Sequence, residues 1–174
     1  MKDDRSYKTK KLVINSLLLS IGFLLHYFMP ALGLPMEIDF SLVTLVLIVS
    51  LNKDCFGTCL ASGGATGILC GITSKFPMGL IPNIIDKLVT TVIVFALIRL
   101  LDKTKLSAKM KTIVTNAVGT LVSGTVFLVS ALLLVELPAP FTLLFATVVI
   151  PATIANTIVG FIVGNIFEKF ARDL

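Results

Sequence analysis

Four polar residues, Asn83, Asp86, Lys87 and Thr90, recur at helical spacing within one apolar segment of the chain. On an α-helix these positions share one face, and Pro82 is well suited to open that helix. A carboxylate can bind an ammonium group, whereas a lysine and the free N–H groups of a helix N-terminus can bind a carboxylate. The face therefore offers the groups that the zwitterionic head of an amino acid requires.

Adjacent charges at Asp86 and Lys87 are costly in apolar surroundings. Such residues in a membrane helix normally face the bundle interior or a water-filled cavity and mark the path of a solute or ion. The alternative is an interfacial pair whose charged ends reach water, because the pair lies only about one turn below the expected membrane surface. We favour solute binding, because two charges, an amide and a helix N-terminus converge here.

Two further polar residues are candidates for the same pocket. His26 lies late in the first apolar segment and is interpreted either as a ligand or as a packed interfacial residue. Asn156 lies in the last apolar segment, where it either lines the pocket or links two helices, as does Asn116 in the preceding segment. Pro151 is predicted to kink the last helix and to free a backbone carbonyl.

The remaining polar and aromatic residues between apolar segments carry weaker expectations. Acidic residues in outer loops are normally solvated, and this interpretation is applied to Glu37, Asp39 and Glu136. Four large side chains near the same loops could either cover an aromatic ligand or anchor the protein at the membrane interface: Phe28, Met29, Phe76 and Met78.

The composition indicates an integral membrane protein. Of the 174 residues, 56% are hydrophobic and 14% charged, whereas soluble domains carry about 25% charged residues. A spanning helix needs about 20 apolar residues. One membrane domain is predicted, with cytoplasmic tails at 1–11 and 168–174 and spans at about 12–29, 38–51, 56–72, 82–101, 113–135 and 141–167.

The positions of the basic residues predict the orientation. When the connections are assigned alternately to the two sides, one side receives all 15 basic residues except Lys75 and Lys87. The positive-inside rule places that side in the cytoplasm. The predicted fold is therefore an all-α bundle of six transmembrane helices with both termini cytoplasmic. The second span is short, and a re-entrant hairpin formed with the third span is the alternative.

Small residues at intervals of four predict where helices approach closely. The third span carries Gly63, Gly67 and Gly71, and the sixth carries Asn156, Gly160 and Gly164. Packing within the chain is expected for both sets. Ser16 and Ser20 form a similar pair near the cytoplasmic end of the first span, where a partner membrane protein could dock.

Several functional classes are excluded by the motifs that the sequence lacks. It contains no G-x-x-x-x-G-K-[ST], HExxH, CxxC or GxSxG pattern, so we expect neither an enzyme nor a bound cofactor or metal ion. The cysteines Cys55, Cys59 and Cys70 are interpreted as small membrane-helix residues. The net charge of +5 follows membrane topology and does not indicate nucleic-acid binding.

The segment FPMGLIPNIIDKLVT, from Phe76 to Thr90, resembles the signature of the bacterial tryptophan transporter (TrpP-type) family. That family is similar to the S components of energy-coupling factor (ECF) transporters. The resemblance implies tryptophan as the solute, a six-helix fold, a pocket near the outer face, and a lid formed by the loop between the first two helices. It also implies a membrane coupling subunit and two cytoplasmic ATPases as partners. S components contact that subunit through an Ala-xxx-Ala pair, and Ser16 and Ser20 occupy comparable positions.

Two other functions remain open at this point. The chain could be an S component for another small solute, such as a vitamin. It could also be a structural membrane protein without a solute, in which case Asp86 and Lys87 pair only with each other.

Overall fold

A computed structural model of the chain describes residues 2–28 and 38–172, and every regular element within these ranges is helical. Apolar runs bounded by polar turns form five helices: α1 (Lys2–Phe28), α2 (Phe40–Leu51), α3 (Phe56–Ile72), α4 (Leu80–Asp102) and α5 (Ala108–Leu134). The sixth, α6, comprises Phe141–Leu144, a π-helical turn at Phe145–Val149, and Ile150–Arg172. The helices begin and end close to the predicted ranges, although α1 extends into the basic tail. The predicted lid, including Glu37 and Met29, lies outside the described residues.

Ion pairs join the basic connections at one end of the bundle. Lys11 lies 3.0 Å from Asp54 in the α2–α3 turn. Asp102, at the end of α4, lies 2.5 Å from Lys53 and 3.6 Å from Lys111 at the start of α5. We call this the basic end. These connections therefore lie at the same end of the bundle, in agreement with the alternating assignment of connections to the two sides.

The short helix α2 forms the centre of the bundle. Its apolar residues Leu42, Leu45, Val46 and Val49 are buried against α4 and α3. At 1.5 Å per residue its 12 residues span about 18 Å, well short of a hydrocarbon core of about 30 Å. The α2–α3 turn lies at the basic end, whereas α2 begins beside the second turn of α4. Space is therefore left beyond the N-terminus of α2.

The glycines of α3 pack directly against the first turns of α4, as predicted. A Cβ atom added at Gly67 would lie 2.8 Å from the Cα of Ile84, and one added at Gly71 would lie 2.8 Å from the Cα of Leu80. Because backbone atoms are in the way, only glycine permits this approach. The contact fixes the position of the polar face of α4.

Three of the described helices are long and apolar enough to cross a membrane: Thr9–Phe28, Ala108–Leu134 and Phe141–Lys169. The helices α2 and α3 are shorter, and α4 carries Asp86 and Lys87 within its length. An all-helical membrane bundle is therefore confirmed, while six crossings and cytoplasmic termini remain predictions.

Candidate functional site

The polar face of α4 points into the bundle. Asn83, Asp86, Lys87 and Thr90 are all buried, with at most 9% of their surface exposed. The Thr90 hydroxyl donates to Asp86 Oδ1 at 3.0 Å, and the Asn83 amide donates to the carbonyl of Gly79 at 2.7 Å. The four residues therefore share one buried face of α4, as their helical spacing in the sequence predicted, and Asn83, Asp86 and Lys87 line the cavity described below.

Lys87 lies at the centre of a buried charged cluster. Its Nζ is 2.6 Å from Asp39 Oδ2, 3.0 Å from Asp86 Oδ2 and 3.3 Å from the Ser123 hydroxyl. Two of these contacts are hydrogen bonds donated by the ammonium group, to Asp39 and to Ser123, and the contact with Asp86 is an ion pair. The Ser123 hydroxyl in turn donates to Asp86 Oδ2 at 2.9 Å. Lys87 therefore holds the two carboxyl groups in place.

The expectation that Asp39 is a solvated loop acid is wrong. Asp39 caps the N-terminus of α2, where its carboxylate accepts from the backbone N–H of Leu42 at 3.0 Å and from the Ser41 hydroxyl at 2.5 Å. Its side chain is 23% exposed, against 2% for Asp86. An aspartate directly before an apolar helical run is a recognised capping signal and could have placed it. Nothing in the sequence marks Ser123.

Asn156 and His26 both contact Asp39 from neighbouring helices. The Oδ1 of Asn156 accepts from the backbone N–H of Asp39 at 3.0 Å, and His26 Nδ1 lies 3.4 Å from Asp39 Oδ1. Asn156 is 1% exposed, and its Nδ2 has no hydrogen-bond partner among the described residues. Buried polar groups are normally hydrogen-bonded, so this donor lacks a partner that a bound molecule could supply.

These residues form the floor of a cavity of about 700 Å³, which we call the large cavity. Small-molecule sites commonly enclose about 300–1,000 Å³. Its wall and rim include the aromatic residues Phe28, Phe76 and Phe127, and the last two meet edge to face with ring centroids 5.5 Å apart. Met78 does not line it and is 75% exposed. The cavity thus combines a polar floor with an aromatic rim.

The charge of the floor favours an organic cation. The floor holds two carboxyl groups, on Asp39 and Asp86, against the one ammonium group of Lys87, with the imidazole of His26 beside Asp39. His26, Asp39 and Cys70 place possible ligand atoms within 4.8 Å of one another. A metal ion bound there would lie against the Lys87 ammonium, only 2.6 Å from Asp39. An ammonium group, which can donate to Asp39 from the cavity side, fits this arrangement better.

Ser16 and Ser20 lie elsewhere, on the exposed face of α1. Their hydroxyls donate to the carbonyls of Leu12 and Ser16 within the same helix, at 2.9 Å and 2.8 Å. Their apolar neighbours Leu17 and Ile21 are also exposed. The two small side chains therefore form a strip on an outward-facing surface of α1, which we call the Ser16/Ser20 strip. It is separate from the large cavity.

Comparisons with known proteins identify the family. A family model described as the tryptophan transporter TrpP matches residues 8–172. A probable tryptophan transport protein of Clostridium acetobutylicum is 49% identical over 163 residues, which cover 94% of each chain. Proteins of the same description from Clostridium perfringens and Bacillus subtilis are 44% and 40% identical to this chain, and each match covers 94% of the relative's length. No solved structure matches significantly. With its long apolar helices, the chain is a multi-pass membrane protein that belongs to the tryptophan transporter TrpP family.

Proposed function

We propose that this chain captures tryptophan in the large cavity for uptake across the cell membrane. The relatives are described as probable tryptophan transport proteins, which supports the solute. The observation that carries the proposal is the cavity floor. There, a carboxylate held by Lys87 lies beside the unpartnered amide donor of Asn156.

The head group of the solute binds between Asp39 and Asn156. Its ammonium group donates to Asp39, the more exposed of the two carboxylates, and balances the excess negative charge. Its carboxylate accepts from Asn156 Nδ2. Lys87 acts by fixing Asp39 and Asp86, which differs from the direct carboxylate contact expected from the sequence.

The remaining predicted site residues support this arrangement. Thr90 orients Asp86 through its hydroxyl, and His26 steadies Asp39 from α1. Asn83 lines the cavity wall beside them. The indole ring of the solute then packs among the aromatic residues of the rim, where edge-to-face contacts are favourable.

The composition of the chain makes the binding test direct. It contains no tryptophan and two tyrosines, so the emission of bound tryptophan can be followed against a weak background. We expect saturable binding, retained by tryptamine and lost by indole-3-propionate, which lacks the ammonium group. Binding of indole-3-propionate as tight as that of tryptophan would contradict the assignment of Asp39.

We further propose that the single domain crosses the membrane six times, with both tails in the cytoplasm. Cys55 lies in the α2–α3 turn at the basic end and is exposed, whereas Cys59 and Cys70 are buried. The Thr58 hydroxyl donates to Cys55 and lowers the pKa of its thiol, which favours the reactive thiolate. A membrane-impermeant maleimide should therefore label the chain in inside-out vesicles only. Labelling in right-side-out vesicles that is lost in Cys55→Ser would reverse the orientation.

The energy source is proposed to be an ECF-type module, with a coupling subunit docked on the Ser16/Ser20 strip and two cytoplasmic ATPases. Small residues permit close helix contact, so Ser20→Leu should prevent co-purification with the coupling subunit and leave tryptophan binding unchanged. Ile154→Leu, on the exposed face of α6, is the control. Tryptophan uptake by the purified chain alone in vesicles would overturn this part of the proposal.

A structural role without a solute is the second candidate, and one observation favours it: Lys87 is already surrounded by partners within the chain, Asp39, Asp86 and Ser123. Because Lys87 lies 2.6 Å from Asp39, exchanging Asp86 and Lys87 would bring two carboxylates together and disturb the fold in either case. The fluorescence titration separates the two functions, because a structural role predicts no saturable binding of tryptophan by the native chain. A screen for thermal stabilisation tests a vitamin-like solute, since a ligand at 100 times its Kd adds about 2.7 kcal/mol.

A further inference from the structure

The side-chain amide of Asn83 is held in one orientation on the wall of the large cavity. Its Nδ2 donates to the carbonyl of Gly79, one turn earlier in the chain, at 2.7 Å. A carbonyl oxygen accepts hydrogen bonds and donates none, so the amide nitrogen must face Gly79. The amide oxygen of Asn83 therefore points away from that carbonyl, on a side chain that lines the cavity.

This amide oxygen lacks a hydrogen-bond donor. No described residue donates to Asn83 Oδ1. Among the described residues, Asn156 Nδ2 is the fully buried side-chain polar atom that has no hydrogen bond. Because Asn83 Oδ1 also has none but is not fully buried, it is open to the cavity that its side chain lines. An acceptor without a partner therefore faces the space in which we place the solute.

The oxygen lies about one turn above the charged floor, at the level of the aromatic rim. Lys87 Nζ donates to the Ser123 hydroxyl at 3.3 Å and so links α4 to α5 at the floor. The helix α4 ends at the basic end and α5 begins there, so the two run in opposite directions. Four residues further from that end, a rise of about 6 Å, lie Asn83 on α4 and Phe127 on α5. Both line the large cavity.

The shape of tryptophan suits this arrangement. With the head group between Asp39 and Asn156, the pyrrole ring lies next to the floor and the benzene ring lies beyond it. The benzene ring then reaches Phe76 and Phe127, which meet edge to face, and the pyrrole N–H can face the wall. An indole N–H is a donor only, so it requires an acceptor at this level.

The serine and threonine hydroxyls that line the cavity are less well placed for this donor. Ser123 is bonded to both charged groups of α4, and Thr120 lies about one turn deeper on the same helix. Thr73 and Ser74 follow the end of α3 at the mouth of the cavity, and the Ser74 oxygen already accepts a backbone N–H. Asn83 Oδ1 is therefore the acceptor that lies level with the ring.

We propose that Asn83 Oδ1 accepts the indole N–H of tryptophan and thereby selects indole over other aromatic side chains. The inference rests on the proposed capture of tryptophan in the large cavity. It adds a third contact to those of Asp39 and Asn156. The ring of phenylalanine carries no donor, and the hydroxyl of tyrosine lies at the far end of its ring. Both would leave the Asn83 oxygen without a partner, which lowers affinity.

The test compares tryptophan with 3-benzothienylalanine, in which a sulfur atom replaces the indole N–H and the shape of the ring is kept. By titration calorimetry, the native chain should bind tryptophan roughly fivefold to tenfold more tightly, the contribution of one neutral hydrogen bond. In Asn83→Leu the two compounds should bind within about twofold of each other. The Gly79 carbonyl keeps its bond from the backbone N–H of Asn83, at 3.0 Å, so the variant should fold. If it does not, Asn83→Ala serves for the same comparison.

Asn165→Leu is the matched control. The Asn165 amide also donates to a carbonyl one turn earlier, that of Phe161 at 2.8 Å, but its side chain does not line the large cavity. This variant should keep the full preference for tryptophan. Equal binding of the two compounds by the native chain, or a preference that survives in Asn83→Leu, would overturn the role of Asn83 and leave the capture of tryptophan standing. If the native chain binds neither compound, the proposed function fails and this inference fails with it.

Discussion

At the scale of single residues, Asp39 carries the proposed binding of the ammonium group. Asp39→Asn retains the shape and the cap of α2 but removes the excess negative charge. Loss of a buried, hydrogen-bonded charge partner costs about 2 kcal/mol or more, so tryptophan affinity should fall roughly thirtyfold or more by fluorescence titration. Asp54→Asn, whose side chain is 67% exposed at the basic end, is the matched control and should bind as the native chain does. If the two variants bind tryptophan with equal affinity, Asp39 does not bind the ammonium group.

Lys87 should matter for stability as well as for binding. Lys87→Met leaves two carboxylates without their cation, and breaking a buried pair typically costs about 3–5 kcal/mol. The thermal unfolding temperature in detergent should fall clearly, while Lys75→Met, at an exposed position on the rim, should change stability by less than about 0.5 kcal/mol. If Lys87→Met unfolds like the native chain, the floor of the cavity does not carry the charges assigned to it.

The sequence allowed the α4 side of the site to be predicted but not the α2 side. Asn83, Asp86, Lys87 and Thr90 lie within two turns of one helix, so their spacing alone placed them together. Asp39 meets Lys87 across 48 positions of sequence, and only tertiary packing brings them into contact. Ser123 resembles any other small residue in an apolar helix until the partner helix is known.

At the scale of helices, the α3–α4 contact depends on glycine at particular positions. Gly67→Ala forces a methyl group against the backbone of α4, so unfolding should be easier by about 1–3 kcal/mol. Gly57, on the same helix, has open space where a Cβ would stand. Gly57→Ala should therefore be neutral or stabilising by up to about 1 kcal/mol. Equal thermal shifts for both variants would show that α3 and α4 do not pack this closely.

The outer half of α6 shows what a sequence leaves undetermined at this scale. Pro151 was sufficient to predict a disturbance there, because it lacks a backbone N–H. The response is a π-helical turn at Phe145–Val149, one of several ways a helix can accommodate proline. Val149, the last residue of that turn, packs its buried side chain against Gly124 of α5, a tertiary contact that the sequence does not reveal.

At the scale of the whole molecule, the basic end should respond to acid. The Lys53 ammonium, which donates to Asp102, holds the pKa of that carboxyl below its ordinary value. Because this pKa is lower in the folded chain than in the unfolded chain, the ion pair stabilises the fold at pH values above the ordinary pKa of about 3.9. That stabilisation is lost as the pH falls through the lowered pKa. The side chains are 52% and 38% exposed, so the effect is at most about 1 kcal/mol and smaller in salt. Thermal unfolding of Asp102→Asn should therefore match that of the native chain at about pH 3 and lie slightly below it at about pH 6.

The shortness of α2 has an electrical consequence. Its 12 residues span about 18 Å, so when water fills the large cavity beyond its N-terminus, the transmembrane voltage falls over less than the full hydrocarbon thickness of about 30 Å. One elementary charge crossing 100 mV gains or loses about 2.3 kcal/mol. Tryptophan is neutral as a zwitterion, so its capture in the large cavity should not respond to the voltage, whereas the capture of cationic tryptamine should.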